Sequence, residues 1–176
     1  MIVAGVDPGL SGAVAIADMK QENIGGRRGP WGFSSLLAVQ DLPVKRLDDK
    51  RLLDAPRFFD LLTEYSPDLI ALEWPTARPD RPVASEYRFA LGNGATLAAC
   101  QIACDRVTLV NPASWKADLG LSSDKGLSIG LARKVAPEKD VQKFFSLESK
   151  DGRAEAFLLV EYIRRRLNRG EAIISG

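Results

Sequence analysis

Apolar residues recur along this chain in two rhythms, and together they divide it into strands and helices. Unbroken apolar runs at 2–7, 12–18, 68–73 and 106–111 have the form of strands inside a sheet. A further strand is expected within 35–44. The helical rhythm begins after Asp54 and Pro56, where Phe58, Leu61, Leu62 and Tyr65 follow at helical spacing. Longer helices are expected over 84–104, from the Ser123-Asp124 cap to about Val135, and from about Asp151 to Leu167, closed by Arg169-Gly170. Asn111-Pro112-Ala113-Ser114-Trp115 reads as a turn into a short helix.

The polar stretches supply the connections. Pro8-Gly9-Leu10-Ser11-Gly12 is a tight turn that makes a hairpin of the first two strands. Residues 20–33, with Gly25-Gly26-Arg27-Arg28-Gly29-Pro30, read as an exposed loop, and 137–149 as irregular chain. Thr76–Val83 carries prolines and arginines and reads as a loop straight after Glu73. The order β-β-β-α-β-α-β-α-α is that of an α/β fold, a mixed sheet with helices on its faces. No repeat or linker divides the chain, so residues 1–176 read as one domain.

Chemistry enters where strands end. Asp7 closes the first apolar run and Glu73 closes another. An acid there is costly unless its charge is used, and a divalent cation is the commonest user. Two such acids side by side repel each other unless a cation bridges them. Asp151 and Glu155 open the last helix four residues apart, on one face of it. Ala154 and Ala156 beside Glu155 allow close packing, so that its carboxylate reaches inward. The plainer readings are a turn aspartate at Asp7, a solvated strand-end acid at Glu73, and first-turn acids favoured by the helix dipole at Asp151 and Glu155.

Composition narrows the options. The chain has 176 residues, 45% hydrophobic and 27% charged, and no histidine. Ser-His and Cys-His hydrolases, histidine-ligated zinc enzymes and His-Asn-His nucleases are thereby excluded. A net charge of +1 gives no global pull on nucleic acid, so any DNA-binding face must come from local clusters of Lys and Arg. Cys100 and Cys104 read as core residues on one helix face. No apolar run is long enough for a membrane span and the N-terminus lacks signal-peptide features, so a cytoplasmic protein without membrane contact is expected. An acid followed by a glycine-containing hairpin also opens actin-like and sugar-kinase ATPases. Those need two such domains, and no GxxxxGK[ST] loop is present.

Taken in order, these segments resemble the RuvC-type Holliday junction resolvases of the RNase H-like superfamily. The resemblance rests on Gly5-Val6-Asp7-Pro8-Gly9-Leu10-Ser11-Gly12, Ala71-Leu72-Glu73, Tyr87-Arg88-Phe89-Ala90-Leu91-Gly92, Val110-Asn111-Pro112-Ala113-Ser114-Trp115-Lys116, Asp124-Lys125 and Asp151-Gly152-Arg153-Ala154-Glu155-Ala156. It implies an RNase H-like mixed five-stranded sheet with helices on both faces. It also implies four metal-binding and catalytic acids, Asp7, Glu73, Asp151 and Glu155, with Lys116 and Lys125 near the scissile phosphate. The family more often carries Asp where this chain has Glu155.

The implied activity is structure-selective nicking of four-way or otherwise branched DNA by a homodimer. The implied cofactor is Mg²⁺, with Mn²⁺ able to substitute, as two ions about 3.5–4 Å apart. Arg27, Arg28, Arg78, Arg81, Arg88 and Phe89 join Lys116 and Lys125 as candidate DNA contacts. Trp74 and Tyr87 are further candidates for stacking, against the alternative of core packing, and Arg164-Arg165-Arg166 reads as favourable with the helix dipole. Helix 84–104, with its small-residue stretch Leu91–Ala99, is a candidate dimer surface or a sheet-facing surface. The rival readings are an RNase H-like nuclease with another nucleic-acid substrate and a catalytically silent module that binds junctions or a protein partner.

Overall fold

The computed structural model describes residues 1–76, 82–122, 125–146 and 151–173. Its central sheet has the spatial order β3-β2-β1-β6-β7. β1 (Ile2–Asp7), β2 (Ala13–Ile24) and β3 (Arg27–Asp41) form an antiparallel meander, and β6 (Leu69–Glu73) and β7 (Val107–Val110) add in parallel on the other side of β1. The sheet is mixed and five-stranded, as expected. A separate two-stranded ribbon, β4 (Val44–Leu47) with β5 (Lys50–Leu53), turns at Asp48-Asp49; its short, polar strands carry too little apolar pattern to stand out in the sequence.

Helices cover both faces. One face packs a core that includes Val3, Ala15, Ala71, Trp115, Phe145 and Phe157, drawn with α3 (Pro112–Asp118), α4 (Lys125–Val135), α5 (Glu138–Phe145) and α6 (Asp151–Asn168). The other packs Ala4, Val6, Ile70 and Leu72 with α1 (Ala55–Tyr65) and α2 (Val83–Ala103). Odd positions of β1 and β6 therefore face α6 and even positions face α1 and α2, the period-two alternation of a strand buried on both sides.

Two stretches depart from expectation. Residues 20–33 are strand, not loop: β2 and β3 run out together and turn at Gly25 (φ 60°) and Gly26 (φ 80°), the positive dihedrals that a tight two-residue hairpin turn needs. This ribbon leaves the core, so solvent-facing polar residues satisfy it and no apolar pattern marks it. Residues 138–145 are helix, not irregular chain; α5 is only 8 residues long and buries Phe144 and Phe145 through tertiary contact, with Pro137 as its N-cap.

Side chains occupy part of the exposed edge of β3, at Trp31 and Leu36. Asp140 accepts from Leu36 N–H (3.4 Å), Asn168 accepts from Trp31 N–H (2.6 Å), and Arg164 donates to the Trp31 carbonyl (3.1 Å). Occupied edge groups do not template pairing with another strand. Among the described residues no helix is long and apolar enough to cross a membrane.

α6 lies directly on β1. A Cβ at Gly5 would fall 2.1 Å from the Ala156 carbonyl oxygen, so glycine there sets how close helix and sheet come. The same is true at the helix start, where a Cβ on Gly152 would fall 2.8 Å from the Ser11 carbonyl oxygen and 3.1 Å from Asp7 Oδ2. These two glycines bring the first turns of α6 against the end of β1.

Candidate metal centre

β1 and β6 are parallel neighbours with Val6 beside Leu72, so their last residues, Asp7 and Glu73, end side by side at the carboxyl edge of the sheet. That edge is where open α/β sheets bind ligands. Both acids occupy odd positions and so face α6, which delivers Glu155 from its second turn. Asp7, Glu73 and Glu155 each offer a carboxylate oxygen within 4.8 Å of the others. The convergence follows from strand register, side-chain alternation and the glycine contacts beneath α6.

Three carboxylates this close are under strain without positive charge. Burial, first, and then the charges of Glu73 and Glu155 push the Asp7 carboxyl well above its ordinary range. A hydrogen bond with Glu73 adds to the shift and the Lys116 ammonium opposes it. Glu73 is raised too, chiefly by burial; the indole N–H of Trp115 and the ammonium of Lys116 oppose the rise, while Glu155 adds to it. Hard, clustered oxygens held in costly ionisation suit a hard divalent cation such as Mg²⁺ or Mn²⁺. The donor set fits that class of ion.

α3 supplies two donors to the cluster from consecutive residues. Trp115 Nε1 donates to Glu73 Oε1 (2.9 Å) and Lys116 Nζ donates to Glu155 Oε1 (2.8 Å). Ser128, buried on α4, also reaches Glu155 Oε1 (3.4 Å). α3 is held in place by its cap: the Asn111 side chain accepts from Ala113 N–H (2.9 Å) and Ser114 N–H (3.3 Å), and Pro112 opens the helix. Trp115 and Ser128 are site residues that the sequence alone did not single out. The signals for Trp115 were its place in the Val110–Lys116 segment that carries the resemblance and its position four residues beyond Asn111 in the Asn-Pro helix start.

The remaining candidates fall in different places. Asp151, the first residue of α6, is half-buried and lies outside the three-acid cluster. The backbone of Lys125 opens α4, and its side chain lies outside the described residues, as do Arg78 and Arg81. Arg88 is exposed on α2 and Phe89 beside it is half-buried. Arg27 and Arg28 are exposed at the hairpin tip, at the opposite end of the sheet from Asp7. Counting along β2 from Ala13, beside Asp7, to Ile24, that separation is about 35 Å at the rise of a strand. Trp74 is half-buried against the core and Tyr87 is exposed. Arg164 and Arg165 pair with Glu161. Cys100 and Cys104 are buried free thiols, and burial pushes Cys100 up to about 12, far from reactive.

Comparison with solved structures places the fold. The chain superimposes on Thermus thermophilus RuvC in complex with a Holliday junction substrate, with a TM-score of 0.55 and 20% identity, over 96% of this chain and 98% of that one. The fold is that of RuvC. A second structure of Thermus thermophilus RuvC matches at a TM-score of 0.49 and 17% identity, over 96% of this chain and 98% of that one. No protein-family model and no curated protein sequence matches the chain. The expected RNase H-like sheet and its likeness to RuvC are thus borne out at the level of fold.

Proposed function

We propose that this protein is a metal-dependent endodeoxyribonuclease that nicks four-way or branched DNA junctions. The observation that carries the reading is the convergence of Asp7, Glu73 and Glu155 at the carboxyl ends of the two central parallel strands. The RuvC structure of the same fold is bound to a Holliday junction, which favours branched DNA as the substrate. Asp7, Glu73 and Glu155 would hold Mg²⁺, or Mn²⁺ in its place, with Asp151 as a further acid at the rim. When bound, such cations supply the positive charge that activates water and stabilises the leaving oxygen in phosphodiester hydrolysis.

The chain's own residues do the rest. Trp115 holds the Glu73 carboxylate, and the missing side chain at Gly152 leaves room for the Asp7 carboxylate beneath α6, so both acids would be ready to hold a cation. Lys116 pairs with Glu155 at the cluster, and with a cation held by Glu155 its ammonium would be available to a DNA phosphate. Lys125, Arg78, Arg81, Arg88 and Phe89 extend the proposed DNA surface from the elements flanking the site, and Arg27 and Arg28 from the distant hairpin.

Symmetric cleavage of a four-way junction needs two active centres, and a two-fold dimer supplies them. The outward side of α2 suits a second copy: Val83, Tyr87, Leu91 and Ile102 are exposed there, with Gly94 and Ala98 between them allowing close helix approach. A test is nicking of synthetic four-way junctions in Mg²⁺, compared with flap, RNA–DNA hybrid and linear duplex. Junction-selective, Mg²⁺-dependent nicking supports the reading, and preference for the hybrid would redirect it to another RNase H-like nuclease.

The Lys116–Glu155 ion pair favours one other reading, a silent module in which the ammonium permanently stands where a cation would. Mn²⁺ binding measured by calorimetry separates the two, since a silent module of that kind takes up none.

A further inference from the structure

We infer that Trp115 is a positioning residue for the cation, fixing the Glu73 carboxylate so that one of its oxygens is presented to the metal. The inference rests on the proposed metal site and names a residue that the acids alone do not reveal. Glu73 ends its strand, and a glutamate side chain has three rotatable bonds, so strand register fixes its backbone without fixing its oxygens. Trp115 supplies what is missing. Its indole is fully buried and its N–H donates to Glu73 Oε1 at 2.9 Å, which leaves Oε2 as the oxygen without that donor.

A buried tryptophan ordinarily finds some partner for its N–H, and a backbone carbonyl would serve. Here the partner is a member of the three-acid cluster, and the path that brings them together is short. Trp74 N–H donates to the Val110 carbonyl (2.8 Å) and Glu73 lies beside Val110 in the β6–β7 register, so the two strand ends are locked. Asn111 then caps α3, and Trp115 N–H donates to the Asn111 carbonyl (3.2 Å). Five residues after Val110 the indole arrives over Glu73 without any loop that could let it drift. A carboxylate pinned in this way meets the cation without first losing rotamer freedom, and partners that orient metal ligands are worth about 10–100-fold in metal affinity.

The experiment compares Mn²⁺ affinity by calorimetry in wild type, in Trp115→Phe, and in proteins carrying benzothienylalanine or 7-azatryptophan at position 115. Benzothienylalanine keeps the fused-ring shape without an N–H, and 7-azatryptophan keeps the ring N–H. We expect affinity to fall about tenfold with benzothienylalanine, with the melting temperature of the metal-free protein close to wild type, and 7-azatryptophan to hold wild-type affinity. Equal Mn²⁺ affinity with benzothienylalanine and wild type overturns the role of Trp115 while leaving the metal site standing. Absence of Mn²⁺ binding in wild type overturns both. Should Trp115→Phe fail to fold, the isosteric pair still decides, because it changes one donor and little volume.

Discussion

α6 handles buried negative charge in two ways along its length, near its start and in its middle. Glu155 and Glu161 are separated by six residues, about 9 Å along the helix axis. Glu161 is wholly buried and answered in full: Arg164 donates to it through Nε (2.6 Å) and Nη2 (2.8 Å), and Arg165 through Nε (2.8 Å). Glu155 joins Asp7 and Glu73, and against three carboxylates the described residues bring one ammonium, that of Lys116. The first arrangement ties α6 to the base of the hairpin, since Arg164 also reaches the Trp31 carbonyl and lies over the Phe33 ring at 5.5 Å. The second is left short of positive charge. Among the described residues the fold neutralises one buried acid completely and leaves the other cluster short of positive charge, a cluster that could hold a cation.

The largest effect should come from Asp7→Asn. Junction nicking is expected to fall by about 10³-fold or more, as for loss of a group that works as part of a unit. The metal-free protein should at the same time melt a few degrees higher at neutral pH, because the variant removes the most disfavoured charge of the cluster. The sign follows from the raised carboxyls of Asp7 and Glu73: the stability these groups contribute is fully present below the ordinary carboxylate range and is lost as pH rises through their raised values. The variant's advantage should therefore grow from acid to neutral pH in metal-free melting curves and shrink when Mg²⁺ is added. Mg²⁺ binding to wild type should release protons and tighten as pH rises through the same interval. A neutral or lower melting temperature for Asp7→Asn without metal would make the two parts of α6 alike and remove the contrast.

Glu161→Ala should do the reverse. It leaves two guanidiniums facing a void and is expected to cost about 2–3 kcal/mol of stability, less than the loss of a pair with both partners buried because Arg164 and Arg165 keep some solvent. Mn²⁺ affinity of the folded variant should stay within about twofold of wild type, since sites with no shared partners act nearly independently. Urea unfolding and calorimetry measure the two quantities separately.

Lys116→Met tests whether the single ammonium competes with the cation. Loss of the Glu155 ion pair makes the cluster more negative, so Mn²⁺ should bind up to about tenfold more tightly, an effect of about 1.4 kcal/mol. Nicking should nonetheless weaken, because the same ammonium is proposed to meet the phosphate. Tighter binding with unchanged nicking would confine Lys116 to the role of counter-ion.

This contrast also shows what the sequence could and could not carry. Asp7 and Glu73 were legible because both end apolar runs, and a buried run that stops on an acid is a local signal. Glu155 was legible because Ala154 and Ala156 flank it and imply close packing; Gly5 and Gly152 make that packing possible, yet a glycine's missing Cβ means something only against the atom it would strike. Trp115 stayed hidden because its partner is 42 residues away and an indole in an apolar context reads as core. The Glu161 network stayed hidden for a related reason: Glu161-Tyr162-Ile163-Arg164-Arg165 is ordinary helix-surface spacing, and only the tertiary structure shows that the acid is buried. The hairpin was misread because a two-stranded ribbon projecting from the core needs no apolar face, while α5 is too short for its helical pattern to register.

The smallest effect, and the sharpest question about the far end of α6, concerns the hairpin it anchors. Arg27 and Arg28 sit about 35 Å from Asp7 of the same chain by strand rise, so they cannot touch a phosphate at that centre. If they touch DNA, they touch an arm of the substrate that extends away from the centre. Replacing both with Gln should then weaken junction binding a few-fold and lower the slope of log affinity against log salt by up to about two, while leaving the cleavage rate of bound junction unchanged. Duplex arms long enough to reach the tip should show the loss, and arms trimmed below about ten base pairs, roughly 34 Å of helix, should not. Equal loss with short arms would mean that the tip acts through the Trp31 contacts with α6 and not through DNA, and the neutralised part of the helix would then bear on the cutting end after all.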